Sequence, residues 1–399
     1  MIIELPALHP AQHTVRTAKT RFVALATGRQ WGKTYLAVSM AVARAITQEK
    51  QTIWWVAPTY AQSRQGFQIA RGLISPLIQA GLASLSLSER KITFNSGSTV
   101  SFLTADRPDN LRAATLNYLI VDEFEYCDPY VWTSVLQPML GVRKGSALFI
   151  SSPGKEESTF HQFIRDNPRR DPKSWTAFQF PTWSSPYWSA DEVELARQNM
   201  PSIEFRREYG AEFVGNEGAL IRREWLKTAT DLPASEIVFG VDLAISQSDS
   251  ADYTAIVILQ KTPDGFAVIY ADRWRLSFEK ILEKIKQLAA RFKPQMIGIE
   301  SVQAQNWLIQ ELNRGTSLPI RAITPDRDKV RRFYPVAARY EQGLVSHSPN
   351  LSEEFIRELL GFPHAEHDDM VDALGYAFQM LNFTGNRVQT AKVSKKYPF

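Results

Sequence analysis

Apolar residues in the first half of this chain gather into short unbroken runs separated by longer stretches with helical spacing. The runs at 21–27, 52–57, 118–122, 146–151 and 174–179 read as strands buried on both sides. Between most of them the spacing predicts helices, as in the alanine-rich stretch from Tyr35 to Ile46. Lys91–Phe94 and Val100–Leu103, on either side of Asn95-Ser96-Gly97-Ser98, read as a hairpin. Alternation of this kind predicts a mostly parallel α/β sheet covered on both faces. Ser202 to Phe213 reads as a charged amphipathic helix closing this half.

The pattern then changes. Residues 214–235, with Gly215, Gly218 and Pro233, read as a linker. Ile237 to Leu243, Tyr253 to Gln260 and Phe266 to Asp272 predict three successive strands, with a turn at Thr262-Pro263-Asp264-Gly265. A helix at Phe278–Ala290, a strand at Gln295–Glu300 and further helices follow. Three antiparallel strands followed by α-β-α units predict a mixed α/β domain of the RNase H type. The expected domains are 1–213 and 236–384, joined by 214–235. Residues 385–399 carry Arg387, Lys392, Lys395 and Lys396 without apolar periodicity and read as a basic flexible tail.

Composition narrows the class. With 399 residues the chain can build two cores. Its 44% apolar and 22% charged residues are ordinary for a globular protein. No apolar run is long enough for a membrane span, and the N-terminus lacks a signal-peptide pattern, so a cytoplasmic location is expected. The lone Cys127 forbids an internal disulfide. A net charge of +4 means that any nucleic-acid contact must come from local clusters.

The first chemical signal is Thr27-Gly28-Arg29-Gln30-Trp31-Gly32-Lys33-Thr34, set between a strand and a helix. A small-residue turn ending Gly-Lys-Thr in that context is what a phosphate-binding loop, and hence a P-loop NTPase, requires. Loop and helix N-terminal amides point at the phosphates, Lys33 neutralises their oxygens, and the Thr34 hydroxyl holds Mg²⁺. Thr27 stands where the standard pattern begins with glycine, and Gly28 follows one residue later to supply the turn. The apolar strand at 118–121 then ends in Asp122-Glu123. Asp122 is placed to associate with the Mg²⁺ of ATP, and Glu123 to orient and deprotonate the attacking water. Ser151-Ser152 ends another strand, either as hydroxyls sensing the γ-phosphate or as a plain turn.

The second signal lies beyond residue 236. Asp242 and Glu300 end the first and fourth strands, which are neighbours in an RNase H-type sheet. His367-Asp368-Asp369-Met370-Val371-Asp372 opens the final long helix, where Asp368 or Asp369 shares a face with Asp372. Such carboxylates repel one another unless hard cations bind between them, which suits two Mg²⁺ or Mn²⁺ ions hydrolysing a phosphodiester. Asp249 and Asp252 are weaker candidates. The run Asp326-Arg327-Asp328-Lys329-Val330-Arg331-Arg332 either meets a DNA backbone or forms a solvated helix face. Arg169-Arg170 and Arg206-Arg207 read as surface charge, and the histidines show no zinc spacing with Cys127.

Together these pieces resemble the large terminase subunit of tailed bacteriophages. The resemblance runs from Gly28-Arg29-Gln30 and Gly32-Lys33-Thr34 through Ala57-Pro58-Thr59, Asp109-Asn110-Leu111-Arg112 and Val121-Asp122-Glu123. It continues to Glu208-Tyr209-Gly210-Ala211-Glu212-Phe213 and His367-Asp368-Asp369-x-x-Asp372-Ala373-Leu374. It implies that Lys33, Thr34, Asp122 and Glu123 run ATP hydrolysis, that Arg29 contacts phosphate, and that Gln12, in Leu8-His9-Pro10-Ala11-Gln12, lies near adenine. Asp242, Glu300 and Asp369, with Asp368 and Asp372 nearby, are implied as nuclease metal ligands. It further implies a motor that drives double-stranded DNA into a procapsid and cuts the concatemer. Such a motor is a ring, expected to be pentameric, on the portal protein, fed by a small terminase subunit in the host cytoplasm. Arg112 is expected either as a loop ion pair or DNA contact, or as an arginine finger entering a neighbouring subunit; Arg29 competes for that last role. The alternatives are a cellular helicase-nuclease, which needs a second motor domain, and a nucleotide-binding assembly module without turnover.

Overall fold

The computed structural model describes residues 7–112, 114–154, 156–215, 219–230, 235–243, 253–301, 311–312, 314–324 and 328–385. Asp249, Asp252, Asp326, Arg327, Gly218, Pro233 and the basic tail lie outside them. The chain divides into two compact units, Met1–Arg197 with Ser202–Asn216, and Gln198–Pro201 with Glu217–Phe399.

The first unit is built on β1 (Phe22–Thr27), β2 (Thr52–Ala57), β3 (Ala83–Ser86), β4 (Lys91–Phe94), β5 (Thr99–Thr104), β6 (Tyr118–Asp122), β7 (Ser146–Ser151) and β8 (Trp175–Phe180). They form one sheet in the order β3-β4-β5-β2-β6-β7-β1-β8. The pairs from β5 to β8 are parallel, and the predicted hairpin β4–β5, with β3 beyond it, is antiparallel at the edge. Successive residues of β1 point to opposite faces. Val23 and Leu25 enter a core with the helices Lys33–Thr47 and Tyr60–Gln79, while Phe22, Ala24 and Ala26 enter one built from Phe124, Trp132, Phe149, Phe160 and Phe163. Burial on both faces is why these strands read as unbroken apolar runs.

The second unit contains β9 (Lys227–Thr228), β10 (Ile237–Asp242), β11 (Thr254–Thr262), β12 (Gly265–Trp274), β13 (Met296–Glu300), β14 (Ile320–Ile323) and β15 (Val345–His347), in the order β14-β13-β10-β11-β12-β15-β9. β10, β11 and β12 are antiparallel neighbours, and β13 lies parallel beside β10, as the sequence predicts. The helix Phe278–Phe292 packs on one face through Ile281, Ile285 and Leu288; the helix Asp369–Gly385 covers the other.

Two expectations are corrected. The segment 214–235 is no bare linker over its described part: Ile221 is buried in the second core, and β9 pairs with β15. The helix expected over Ser202–Phe213 stops at Glu208, before Gly210 and the left-handed Ala211 (φ 57°).

Gly240 and Gly298 are partners across β10 and β13. Their bare backbones let the last helix lie directly on the sheet. A Cβ on Gly240 would lie 1.9 Å from the Ala373 carbonyl oxygen and 2.4 Å from the Ala377 nitrogen, both backbone atoms that cannot yield. On Gly298 it would meet only the side-chain ends of Ile323 and Met380, at 2.7 Å. Gly240→Ala is therefore expected to cost about 3 kcal/mol or more, and Gly298→Ala about 1–2 kcal/mol. Urea unfolding of the second unit checks this; equal midpoints for the two variants would contradict the close approach.

Candidate nucleotide and nuclease sites

The first site forms where β1, β6 and β7 end side by side. After Thr27 the chain makes a loop in which Gln30 (φ 56°) and Gly32 (φ 97°) are left-handed. These turns aim successive amides the same way, an arrangement that binds anions. Gly28 serves a different need from the turn expected of it: a Cβ there would lie 2.3 Å from the Thr182 hydroxyl and 2.5 Å from the Tyr209 carbonyl. Gly32 is the N-cap of the helix Lys33–Thr47 and offers no capping side chain, so the first helical amides stay available to an external anion.

Two side chains from the short helix Pro10–Arg16 and its cap brace this loop. The Gln12 amide nitrogen donates to the Gly32 carbonyl at 3.1 Å, and the Gln12 amide oxygen accepts from the His9 backbone at 3.2 Å. The His9 ring meets the Trp31 carbonyl at 3.3 Å. Trp31, expected as a nucleotide contact, is instead an anchor. Its ring is buried and stacked on Phe180, and its indole N–H donates to Ser184 Oγ at 2.7 Å, leaving only its backbone to face a phosphate.

Lys33 Nζ lies 3.3 Å from Glu123 Oε1 and donates to Ser152 Oγ at 3.2 Å. Ser151 Oγ donates to Glu123 Oε2 at 2.9 Å. Both serines are thus part of the site rather than a plain turn, because β7 lies between β1 and β6. Glu123 sits just past β6 in a left-handed conformation (φ 48°, ψ 47°), which is costly for a non-glycine residue and turns its carboxylate towards Lys33. Its backbone N–H donates to Asp122 Oδ1 at 3.0 Å. Asp122 is almost fully buried; burial, helped by the Glu123 charge and opposed by Lys33, pushes it up to about 7. A buried carboxylate whose charge is this poorly supported suits a cation, so Asp122 fits the Mg²⁺ of a nucleotide; Thr34 is the second residue of the helix Lys33–Thr47.

Arg29 is ion-paired with Glu208, and its backbone N–H donates to the Glu208 carbonyl at 2.7 Å. Glu208 was missed by the sequence reading as a partner of the loop, since 179 residues separate the two. Arg112 is half-exposed, its guanidinium held by Asp109 at 2.9 Å and by the Tyr130 hydroxyl. Within the single chain it thus makes a loop ion pair, one of its expected roles.

In the second unit the parallel register of β10 and β13 sets Asp242 beside Glu300. Burial pushes Asp242 well above the usual carboxylate range, and a hydrogen bond and repulsion from Glu300 add to it, followed by the charges of Asp372 and Asp369. A buried carboxylate set beside a second acid fits a divalent cation between them.

The remaining expected ligands do not join them in one cluster. Among the described residues, no group of three or more His, Cys, Asp or Glu side chains is arranged to hold a metal ion. Asp368 and Asp372 are ion-paired with Lys329, and Asp372 also with Arg332 at 3.3 Å. Lys329 is therefore not a free phosphate contact. Asp369 is buried, with Arg273 Nη1 at 3.5 Å from Oδ2, an oxygen that has no hydrogen bond. Glu358, which no sequence signal marked, accepts from the Met370 and Val371 amides at 2.6 and 3.1 Å and so fixes the start of the last helix.

Comparison with known proteins separates the two halves in the same way. Residues 24–228, just over half of the chain, match the model described as terminase large subunit, T4likevirus-type, N-terminal. The chain belongs to the terminase large subunit family. Residues 239–381 match the terminase RNaseH-like domain. The terminase large subunit of Thermus virus P23-45 is 29% identical over 286 residues, covering 64% of this chain and 55% of that protein. The one from Escherichia phage T5 is 25% identical over 306 residues, covering 71% and 67%. The chain thus spans little more than half the length of the Thermus relative. A solved large terminase from a thermophilic bacteriophage shares the fold, with a TM-score of 0.57 at 13% identity over 94% of this chain and all of that one. No described helix of this terminase is long and apolar enough to cross a membrane.

Proposed function

We propose that this terminase large subunit is an ATP-driven translocase of double-stranded DNA carrying a metal-dependent endonuclease in its second unit. The observation that carries the reading is the convergence of Lys33, Glu123, Ser151 and Ser152 at the ends of three parallel strands, beside an amide-lined loop. In that arrangement Lys33 neutralises the β- and γ-phosphates. Glu123 leaves Lys33 for the attacking water, whose proton it accepts, and Ser151 keeps the carboxylate oriented. Asp122 and Thr34 would hold Mg²⁺, which would supply charge neutralisation at the phosphates. Gln12 lies near adenine while bracing the loop, and Arg29 contacts phosphate once it leaves Glu208.

In the second unit Asp242 and Glu300 would hold Mg²⁺ or Mn²⁺, with Asp369 as a further candidate ligand, and the ion would supply Lewis-acid activation for phosphodiester hydrolysis. The partners proposed with this reading are a procapsid portal, a small terminase subunit and further copies of this chain, expected as a pentameric ring in the host cytoplasm.

The test is two assays on one preparation. ATP should be hydrolysed in the presence of Mg²⁺. Supercoiled plasmid should be nicked with Mn²⁺, protected by EDTA, and nicked again when Mn²⁺ is restored. A folded protein that binds ATP without turning it over would establish the assembly-module alternative, and nicking that survives EDTA would remove the metal from the nuclease reading.

A further inference from the structure

Lys329 and Arg332 stand beside the nuclease carboxylates without a part in the chemistry proposed for them. Asp328 caps the helix Lys329–Glu341, its side chain accepting from the Arg331 backbone at 3.2 Å. That cap sets Lys329 at the first position of the helix and Arg332 three residues on, so both point from one face. The Lys329 ammonium meets the Asp368 carboxylate and lies 2.8 Å from Asp372 Oδ2. Arg332 takes the other Asp372 oxygen at 3.3 Å and donates to the Tyr376 hydroxyl at 3.2 Å. Both oxygens of Asp372 are therefore already bound by protein cations.

The neighbouring carboxylates differ. Asp242 and Glu300 end the paired strands β10 and β13, and Asp369, though adjacent to Asp368 in sequence, turns instead to Arg273, 3.5 Å from its Oδ2. A lysine ammonium is a compact point charge with three donors, so between two acids it does what a small metal ion would do. Any divalent ion at Asp368 and Asp372 has to displace it against like-charge repulsion.

We infer, on the nuclease reading given above, that Lys329 is a built-in counter-ion that withholds Asp368 and Asp372 from divalent cations, leaving Asp242 and Glu300 as the pair that loads metal in the free protein. The partition explains why the helix-start acids and the strand-end acids do not form one ligand cluster. It also makes Lys329 a positioning residue, since it acts through Asp368 and Asp372 and not on the phosphodiester.

The test counts Mn²⁺ bound to the full chain without nucleotide, by electron paramagnetic resonance of the free ion. Lys329→Met and Lys329→Gln should each bind one more equivalent than the parent, with an affinity about 10–100-fold above whatever the parent shows at that position. Lys329→Arg should bind as the parent does. Adding Asp372→Asn to Lys329→Met should remove the extra equivalent. Unchanged binding in both neutral variants, or a gain that survives Asp372→Asn, overturns the inference. The nuclease reading is judged separately: Asp242→Asn should lose the parent's own Mn²⁺, and parent-like binding there overturns that reading whatever Lys329 does.

Discussion

Lys33→Ala is expected to lower ATP turnover by at least about 10²–10³-fold while Mn²⁺-dependent plasmid nicking continues at the parent rate. Lys33 lies 3.3 Å from Glu123 Oε1 at the strand ends of the first unit, while the other cation of the loop, Arg29, is tied to Glu208. Without Lys33 the triphosphate meets Asp122 and Glu123 with Arg29 still held by Glu208, and the barrier rises where negative charge spreads over the γ-phosphoryl oxygens. Asp242→Asn should do the reverse. It removes one charge from the Asp242–Glu300 pair in the other compact unit and leaves the phosphate loop untouched. Parallel assays of ATP hydrolysis and nicking on each variant decide the matter. If either substitution abolished both activities in a folded protein, the division of labour between the two units would fall.

The second large effect concerns Arg112. Arg112→Ala is expected to cut ATP turnover by about 10³–10⁵-fold if a guanidinium from one subunit stabilises the transition state in the next. Within a single chain Arg112 is held by Asp109 and Tyr130 at an exposed position, which leaves it reachable by a neighbour. Arg29 is the competitor from inside the phosphate loop, now tied to Glu208, so a single substitution does not distinguish the two. Mixing does. Arg112→Ala subunits keep Glu123, and Glu123→Gln subunits keep Arg112, so each pure population should be nearly inactive. A mixed ring contains sites that combine an intact Glu123 with a neighbour's Arg112, and part of the activity should return. Absence of recovery where mixed assembly is demonstrated assigns the role to Arg29.

The sequence by itself determined most of the architecture. Strands buried on two faces must be apolar throughout, so β1, β6, β7, β10 and β13 announced themselves as near-unbroken runs. The short strands β3, β9, β14 and β15 carry too few residues for a periodic signal and went unseen. The strand-end positions of Asp122, Glu123, Asp242 and Glu300 were legible because the apolar runs stop at them. What only the tertiary structure decided is which charges meet. Glu208 reaches Arg29 and Lys329 reaches Asp368 and Asp372 across long separations in the chain, and Glu358 reaches the start of the last helix from the helix before it. Trp31 turned inward for the same reason, its partners Phe180 and Ser184 lying on and just beyond β8. A strand or a helix is specified by spacing along a few residues. An ion pair between distant segments depends on how packed elements are registered, as when Gly240 lets the last helix settle on β10, and no local pattern encodes that.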